Sequence, residues 1–314
     1  RAVLVAGATS ISAWTIATPP THANCLTETC LNELSGPLSS EPTSIGGNNG
    51  GQKVFSSTKL PASAYRALSN GQIVCRLQLG LLQLSPKTST IGPNSELFWE
   101  ASEVEVVKGM KEAIDMGYKT FELADVYGAA EDYVGAFHTR YGFPDGVMFN
   151  SKWIPTGTSP KNITVVREAV DKARARMRME RLDLLQMYWW DYEKANYVEM
   201  AQNAQTLVSP QNAASSTLSG VSVTGFDRRH VKELVDNGIK IVSAQMSFSI
   251  VDTRPIDGAM TDYCAAQNIA IVCHGSLLGG FLSDEWLGAE EPQDRDKLPN
   301  SQLRKYFKWL RSWG

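Results

Sequence analysis

The chain has 314 residues, 43% of them hydrophobic and 20% charged, and 30 Lys+Arg against 33 Asp+Glu leave a net charge of −3. That composition buries a large core and excludes a globally disordered protein, and the near-neutral balance offers no basic field for nucleic acid or an anionic membrane. Five cysteines without paired CxxC motifs exclude a disulfide scaffold and a structural zinc site.

The sequence starts at Arg1 and so reads as processed or as a fragment. Ala2–Thr18 is apolar and uncharged, and Pro19, Pro20 and small residues to Ala23 follow it. That is the layout of an export signal with cleavage near Ala23; a buried N-terminal helix is the plain alternative. Cys25 and Cys30 either pair in an oxidising compartment or stay as free thiols, and their spacing does not decide between the two. Ser35–Ser57, with GGNNGG inside it, has the composition of a linker or a surface-draped arm. Three regions result: a signal-like segment over 1–23, a Gly/Ser/Pro-rich arm over 24–72, and a folded domain over 73–314.

From there strands and helices alternate. Ile73–Leu84 reads as a strand. Ser102–Gly117 is an amphipathic helix whose apolar side carries Val104, Val107, Ala113, Ile114 and Met116. Lys119–Tyr127, Val147–Trp153, Leu182–Trp190, Gly220–Phe226, Ile241–Phe248 and Ile269–His274 read as strands. Helices are expected between them at Ala130–Tyr141, Asn162–Met179, Asn196–Leu207, Arg228–Asn237 and Ile256–Gln267, with a last one at Ser301–Trp313. Seven strands separated by helices demand parallel crossovers. Repeats of roughly 30 residues without GxGxxG favour a closed (β/α)8 barrel over a doubly wound sheet. The eighth βα unit is missing, so either the sequence is truncated or something else closes the barrel.

In such a barrel, function sits where strands end. Those ends carry Glu122, Asp125 and Tyr127; Lys152; Tyr188 and Asp191; Thr224 and Gly225; Gln245; His274 and Ser276. A Tyr and a Lys on neighbouring strands are an informative pair. An ammonium favours the phenolate and lowers the phenol's pKa, which suits proton transfer to a carbonyl. The plain alternative is a packed Tyr127 and a salt-bridged Lys152. His22, His138 and His230 are scattered without ligand spacing, so no metal site is expected. Cys75, Cys264 and Cys273 read as buried thiols. Trp189 and Trp190 read as one core ring and one pocket ring.

Six segments occur in order: FELADVYGAAEDYVG (Phe121–Gly135), NSKW (Asn150–Trp153), LDLLQMYWWDY (Leu182–Tyr192), GVSVTGFD (Gly220–Asp227), SAQMSFSIVD (Ser243–Asp252) and IVCHGSLLGGFL (Ile271–Leu282). Together they resemble the aldo-keto reductases, specifically the plastid aldo-keto-reductase-like proteins of plants and algae. The resemblance implies a (β/α)8 TIM barrel that binds NADPH in extended form at the C-terminal strand ends. It places the family's catalytic Tyr on Tyr127 and its Lys on Lys152. The family's Asp becomes Glu122 and its His becomes Tyr188. For the cofactor it implies Thr224, Gly225 and Gln245 at the nicotinamide carboxamide, His274 as the stacking residue and Ser276 near the diphosphate. The 2′-phosphate site would lie in the eighth unit. Glu for Asp adds a methylene, and a carboxylate misplaced by about an ångström costs ~10²-fold in rate. Gly225 removes an amide.

Two readings follow. One is an NADPH-dependent reductase of a small carbonyl substrate with an altered tetrad. The other is a catalytically weakened barrel serving as a structural or assembly subunit of a thylakoid membrane complex. An NADPH sensor ranks third. The resemblance implies a plastid location, and the apolar N-terminal segment adds the expectation of the lumenal side of the thylakoid.

Overall fold

The computed structural model describes residues 16–17, 60–84, 101–155, 163–189, 191–192, 196–208, 216–299 and 301–313. The strands are β1 (Ile16–Ala17), β2 (Tyr65–Ala67), β3 (Ile73–Cys75), β4 (Leu79–Gly80), β5 (Thr120–Ala124), β6 (Met148–Trp153), β7 (Leu184–Tyr188), β8 (Val221–Thr224), β9 (Ile241–Ser247) and β10 (Ala270–His274). The α-helices are α1 (Glu103–Asp115), α2 (Ala130–Tyr141), α3 (Ile163–Met177), α4 (Tyr197–Leu207), α5 (Arg228–Asp236), α6 (Arg254–Asp257), α7 (Met260–Ala266) and α8 (Ser301–Trp313).

Strands β4 to β10 pair in chain order, all parallel, and curl into an incomplete barrel of the (β/α)8 type. Among the described residues the outer edge of β10 is met by β1, antiparallel, with Ile16 opposite Val272 and Ala17 opposite Ile271. The rest of the expected signal-like segment, the arm up to residue 59, Cys25, Cys30 and Trp190 lie outside the described residues.

Alternation along the strands sorts the side chains. Glu122, Asn150, Lys152, Gln186, Thr224 and Gln245 are buried polar residues of β5 to β9, in a register that sets Glu122 beside Asn150 and Thr224 beside Gln245. The intervening Phe121 and Phe149 stack with ring centroids 5.3 Å apart in the main hydrophobic cluster, under the helices. Helix α3 buries Val166, Val170, Ala173 and Met177, a stripe at helical spacing. Each such side chain contributes roughly 1.5–3 kcal/mol.

Three expected elements differ. Ile73–Leu84 is not one strand: β3 turns back on β2 as an antiparallel hairpin, β4 is two residues long, and Leu82–Leu84 is a 3₁₀ turn. The hairpin lies across the N-terminal strand ends. Cys75 N donates to Thr120 Oγ1 at 2.8 Å, Asn70 Nδ2 to Ser219 O at 3.2 Å and Gln72 Nε2 to Asp183 Oδ1 at 3.3 Å. It closes that end and leaves the opposite mouth for chemistry. Ile256–Gln267 is two helices, α6 and α7, separated by Gly258 and by Ala259 at φ 52°. On α1, Ser102 and Glu105 form a capping box, which turns Val106, Val107, Met110 and Ala113 inward. The expected Val104 is instead 58% exposed.

Candidate active site

Strand β5 ends at Ala124, and Tyr127 sits in the turn that follows, where Tyr127 N donates to Ala124 O. Lys152 lies on β6, opposite Ala124 in the register. Its ammonium donates to Glu122 Oε1 at 2.6 Å and to the Tyr127 hydroxyl at 2.8 Å. The three residues are 1–6% exposed. The structure therefore brings Tyr127, Lys152 and Glu122 together, with the Glu122 carboxylate in direct contact with the lysine.

The electrostatics run against one expectation. Burial, with the Glu122 carboxylate adding to it, pushes the Tyr127 phenol up to about 12, and the Lys152 ammonium only partly offsets this. Burial alone would lower the pKa of Lys152, but Glu122 and Tyr127 outweigh it and hold the lysine well above its ordinary range. The resting state is thus a neutral phenol beside a charged ammonium. Because Lys152 donates into the phenol oxygen, the phenol's own proton is left to be given to a second partner.

Across the mouth, the Tyr188 ring lies on the backbone of Gly225, which adopts φ +78°. A Cβ at 225 would stand 2.8 Å from Tyr188 Cε2, so the two residues fit each other as one packed unit. Tyr192 donates from its hydroxyl to Gly225 O at 3.3 Å and stacks on His230 at 3.6 Å, and His230 Nδ1 pairs with Asp227 at 2.7 Å. Thr224 Oγ1 donates to Gln245 Oε1 at 3.0 Å. Gln245 Nε2 is buried without a hydrogen-bond partner among the described residues. At the end of β10, burial, then the Lys152 and Lys305 ammoniums, push the His274 imidazole down to about 3, so the ring is neutral. Ser276 follows two residues later.

Behind Tyr127, on the helix-facing side of the sheet, lies a cluster of which only Asp125 stood among the expected strand-end residues. Glu131 accepts from Ser151 Oγ at 2.5 Å and from Arg176 Nη1 at 2.9 Å. Asp125 accepts from Ile154 N at 3.2 Å. The sequence marks Asn162–Met179 as a long basic helix, and the position of α3 against α2 turns Arg176 toward Glu131 and Asp132. Among the described residues no group of three or more His, Cys, Asp or Glu side chains is placed to hold a metal ion, and no helix is long and apolar enough to cross a membrane.

Parallel strands curled into a barrel, with a Tyr–Lys–carboxylate cluster at their C-terminal ends, define an oxidoreductase-type mouth. The chain belongs to the aldo/keto reductase family, whose family model matches residues 76–314. It is similar to flagellar radial spoke protein 5 of Chlamydomonas reinhardtii, 24% identical over 56% of this chain and 40% of that one. The chain thus spans well under half of that relative's length. Aldo-keto reductase family 1 member A1 of Bos taurus is 21% identical over 68% of each. Among solved structures, aldo-keto reductase AKR11C1 from Bacillus halodurans in its holo form superposes with a TM-score of 0.58 at 18% identity, covering 79% of this chain and 76% of that one. That likeness concerns the fold.

Proposed function

We propose that the protein is an NADPH-dependent reductase of small carbonyl compounds, close to the plastid reductase-like proteins of plants and algae, working with an altered tetrad. The observation that carries this reading is the buried contact of Lys152 with both Tyr127 and Glu122. The nicotinamide end of the site fits the cofactor: Gln245 Nε2 is an orphaned buried donor suited to a carboxamide oxygen. Thr224, Gln245, His274 and Ser276 would hold NADPH, which when bound supplies a hydride. A neutral His274 suits a stacking role, since it does not repel a cationic pyridinium.

The rest of the chemistry belongs to the chain. As negative charge develops on the carbonyl oxygen, Tyr127 gives up the proton of its Oη, and an O–H bond forms on the substrate. The phenolate left behind is held by Lys152 Nζ, already within hydrogen-bond distance. Glu122 keeps that lysine charged and aimed. Tyr188, lacking an imidazole, offers a phenol hydrogen bond to the same oxygen.

NADPH titration followed by tryptophan fluorescence tests the reading, because Trp153 ends β6 and Trp189 directly follows β7. Saturable quenching, with aldehyde-dependent oxidation of NADPH that Tyr127→Phe abolishes, is the expected result. The combined variant Glu122→Asp, Tyr188→His and Gly225→Asn should turn over faster. No quenching and no turnover would favour the second reading, a structural or assembly subunit of a thylakoid membrane complex. In support of it, a relative is named as a component of the flagellar radial spoke. The lumenal location is tested by protease protection in intact thylakoids, where digestion without detergent would sink it.

A further inference from the structure

We propose that Arg176 is the positioning residue for Tyr127, acting from the outer face of the sheet through Glu131; the proposal rests on the reductase reading above. Tyr127 is past the end of β5, so no strand ladder fixes it. Backbone bonds hold the two ends of its turn, Asp125 N to Lys152 O at 2.9 Å and Ala130 N to Tyr127 O at 3.1 Å, and one guanidinium binds the turn from outside. Arg176 Nε donates to Asp132 Oδ1 at 3.1 Å. Its Nη1 donates to Glu131 Oε2 at 2.9 Å and to Asp125 O at 3.4 Å. Its Nη2 donates to Gly128 O at 2.5 Å and to Asp132 Oδ2 at 2.7 Å. Every N–H of the side chain is used within residues 125–132, the segment that carries Tyr127.

The second half of the device is Glu131, 1% exposed. Its other oxygen accepts from Ser151, the neighbour of Lys152 on β6. One carboxylate therefore ties the turn that holds the phenol to the strand that holds the ammonium, and Arg176 locks that carboxylate in place. The 2.8 Å contact of Tyr127 with Lys152 on the inner face is set by this outer frame. Lysine cannot replace the frame, because its three donors do not match a planar five-donor fork. Arg176 also borders an outer cleft of about 490 Å³ lined by Glu103, Val104, Thr139, Arg140 and Arg178, so a small solute can reach its place.

Arg176→Lys, Arg176→Ala and Glu131→Gln in the full chain test this, with the folded fraction fixed by circular dichroism. The kcat for NADPH-dependent aldehyde reduction should fall by roughly 10–100-fold while KM stays within about threefold, the signature of a misplaced acid. Millimolar guanidinium should restore part of the Arg176→Ala rate and none of a Tyr127→Phe rate. A crystal structure of Arg176→Lys supplies an arm that needs no turnover: the Tyr127–Lys152 separation should exceed the hydrogen-bond limit of about 3.2 Å. An undisplaced Tyr127 in that variant overturns the proposal, and so does a kcat equal to that of the parent. If the parent itself turns nothing over, the reductase reading fails, and the displacement of Tyr127 alone decides the role of Arg176.

Discussion

At the ends of β5 and β6 the mouth is held by charge, whereas at the ends of β7 and β8 it is held by shape. The first region packs Lys152 against one phenol and Glu122 against that lysine, sets Asp125, Glu131 and Arg176 behind the phenol's turn, and gives each polar group a named partner. The second sets two tyrosines on one bare glycine and stacks a histidine on top. Charge makes geometry stiff but leaves each partner costly to remove. Shape tolerates polar change but not added volume. The residues at the mouth follow this division. Glu122 keeps the charge and the contact, while Tyr188 and Gly225 exchange volume with each other.

The largest break should come from Lys152→Met. It strands Glu122 in the barrel interior, and losing one partner of a buried pair costs about 3–5 kcal/mol. Urea denaturation should record that loss, and adding Glu122→Leu should recover most of it without restoring catalysis. A single variant as stable as the parent would show that Glu122 needs no partner.

A pH experiment separates the regions next. Burial above all raises the Asp125 carboxyl from 3.8 to about 6. The folded form therefore holds this proton more tightly than the unfolded chain does. The resulting stabilisation is complete below about pH 4 and is lost as pH rises through 6. Asp125→Asn, which mimics the protonated acid, should flatten that interval and be the more stable protein at pH 7 by about 2–3 kcal/mol. Parallel melting curves for parent and variant between pH 4 and 7 would refute the shift.

The smallest effect belongs to the shape side. Gly225→Asn drives a Cβ into the Tyr188 ring, and overpacking of that kind costs about 1–3 kcal/mol. Asparagine is among the residues that accept a positive φ, so the ring is the obstacle. Combined with Tyr188→His, most of the cost should vanish. Strictly additive changes in a double-mutant cycle would mean that the two positions are independent.

Much of this was legible beforehand. The helices at Ala130–Tyr141 and Ser301–Trp313 and the parallel order of the strands follow from apolar periodicity, because tertiary packing reinforces it there. The Tyr127–Lys152 pairing was legible as well, since both sit at strand ends of one barrel face. What escaped had long-range causes. The hairpin within Ile73–Leu84 exists because residues as distant as Thr120, Asp183 and Ser219 take its polar groups. The direction of the Tyr127 shift depends on total burial, which a motif does not carry. Nothing in the expected helix over Asn162–Met179 singled out Arg176, and Gly225 read as a lost amide although Tyr188 lies on it.

Helix α2 lies close against α3 at Gly135, where an added Cβ would collide with the carbonyl oxygen of Arg176. This position touches neither phenol nor ammonium. Even alanine there must push back the one backbone unit from which the guanidinium reaches around to the Tyr127 turn. As the sequence drifts over evolutionary time, a helix-packing glycine is thus bound to the same constraint as the chemistry at the mouth. An inventory of residues lining the cavity would leave it out.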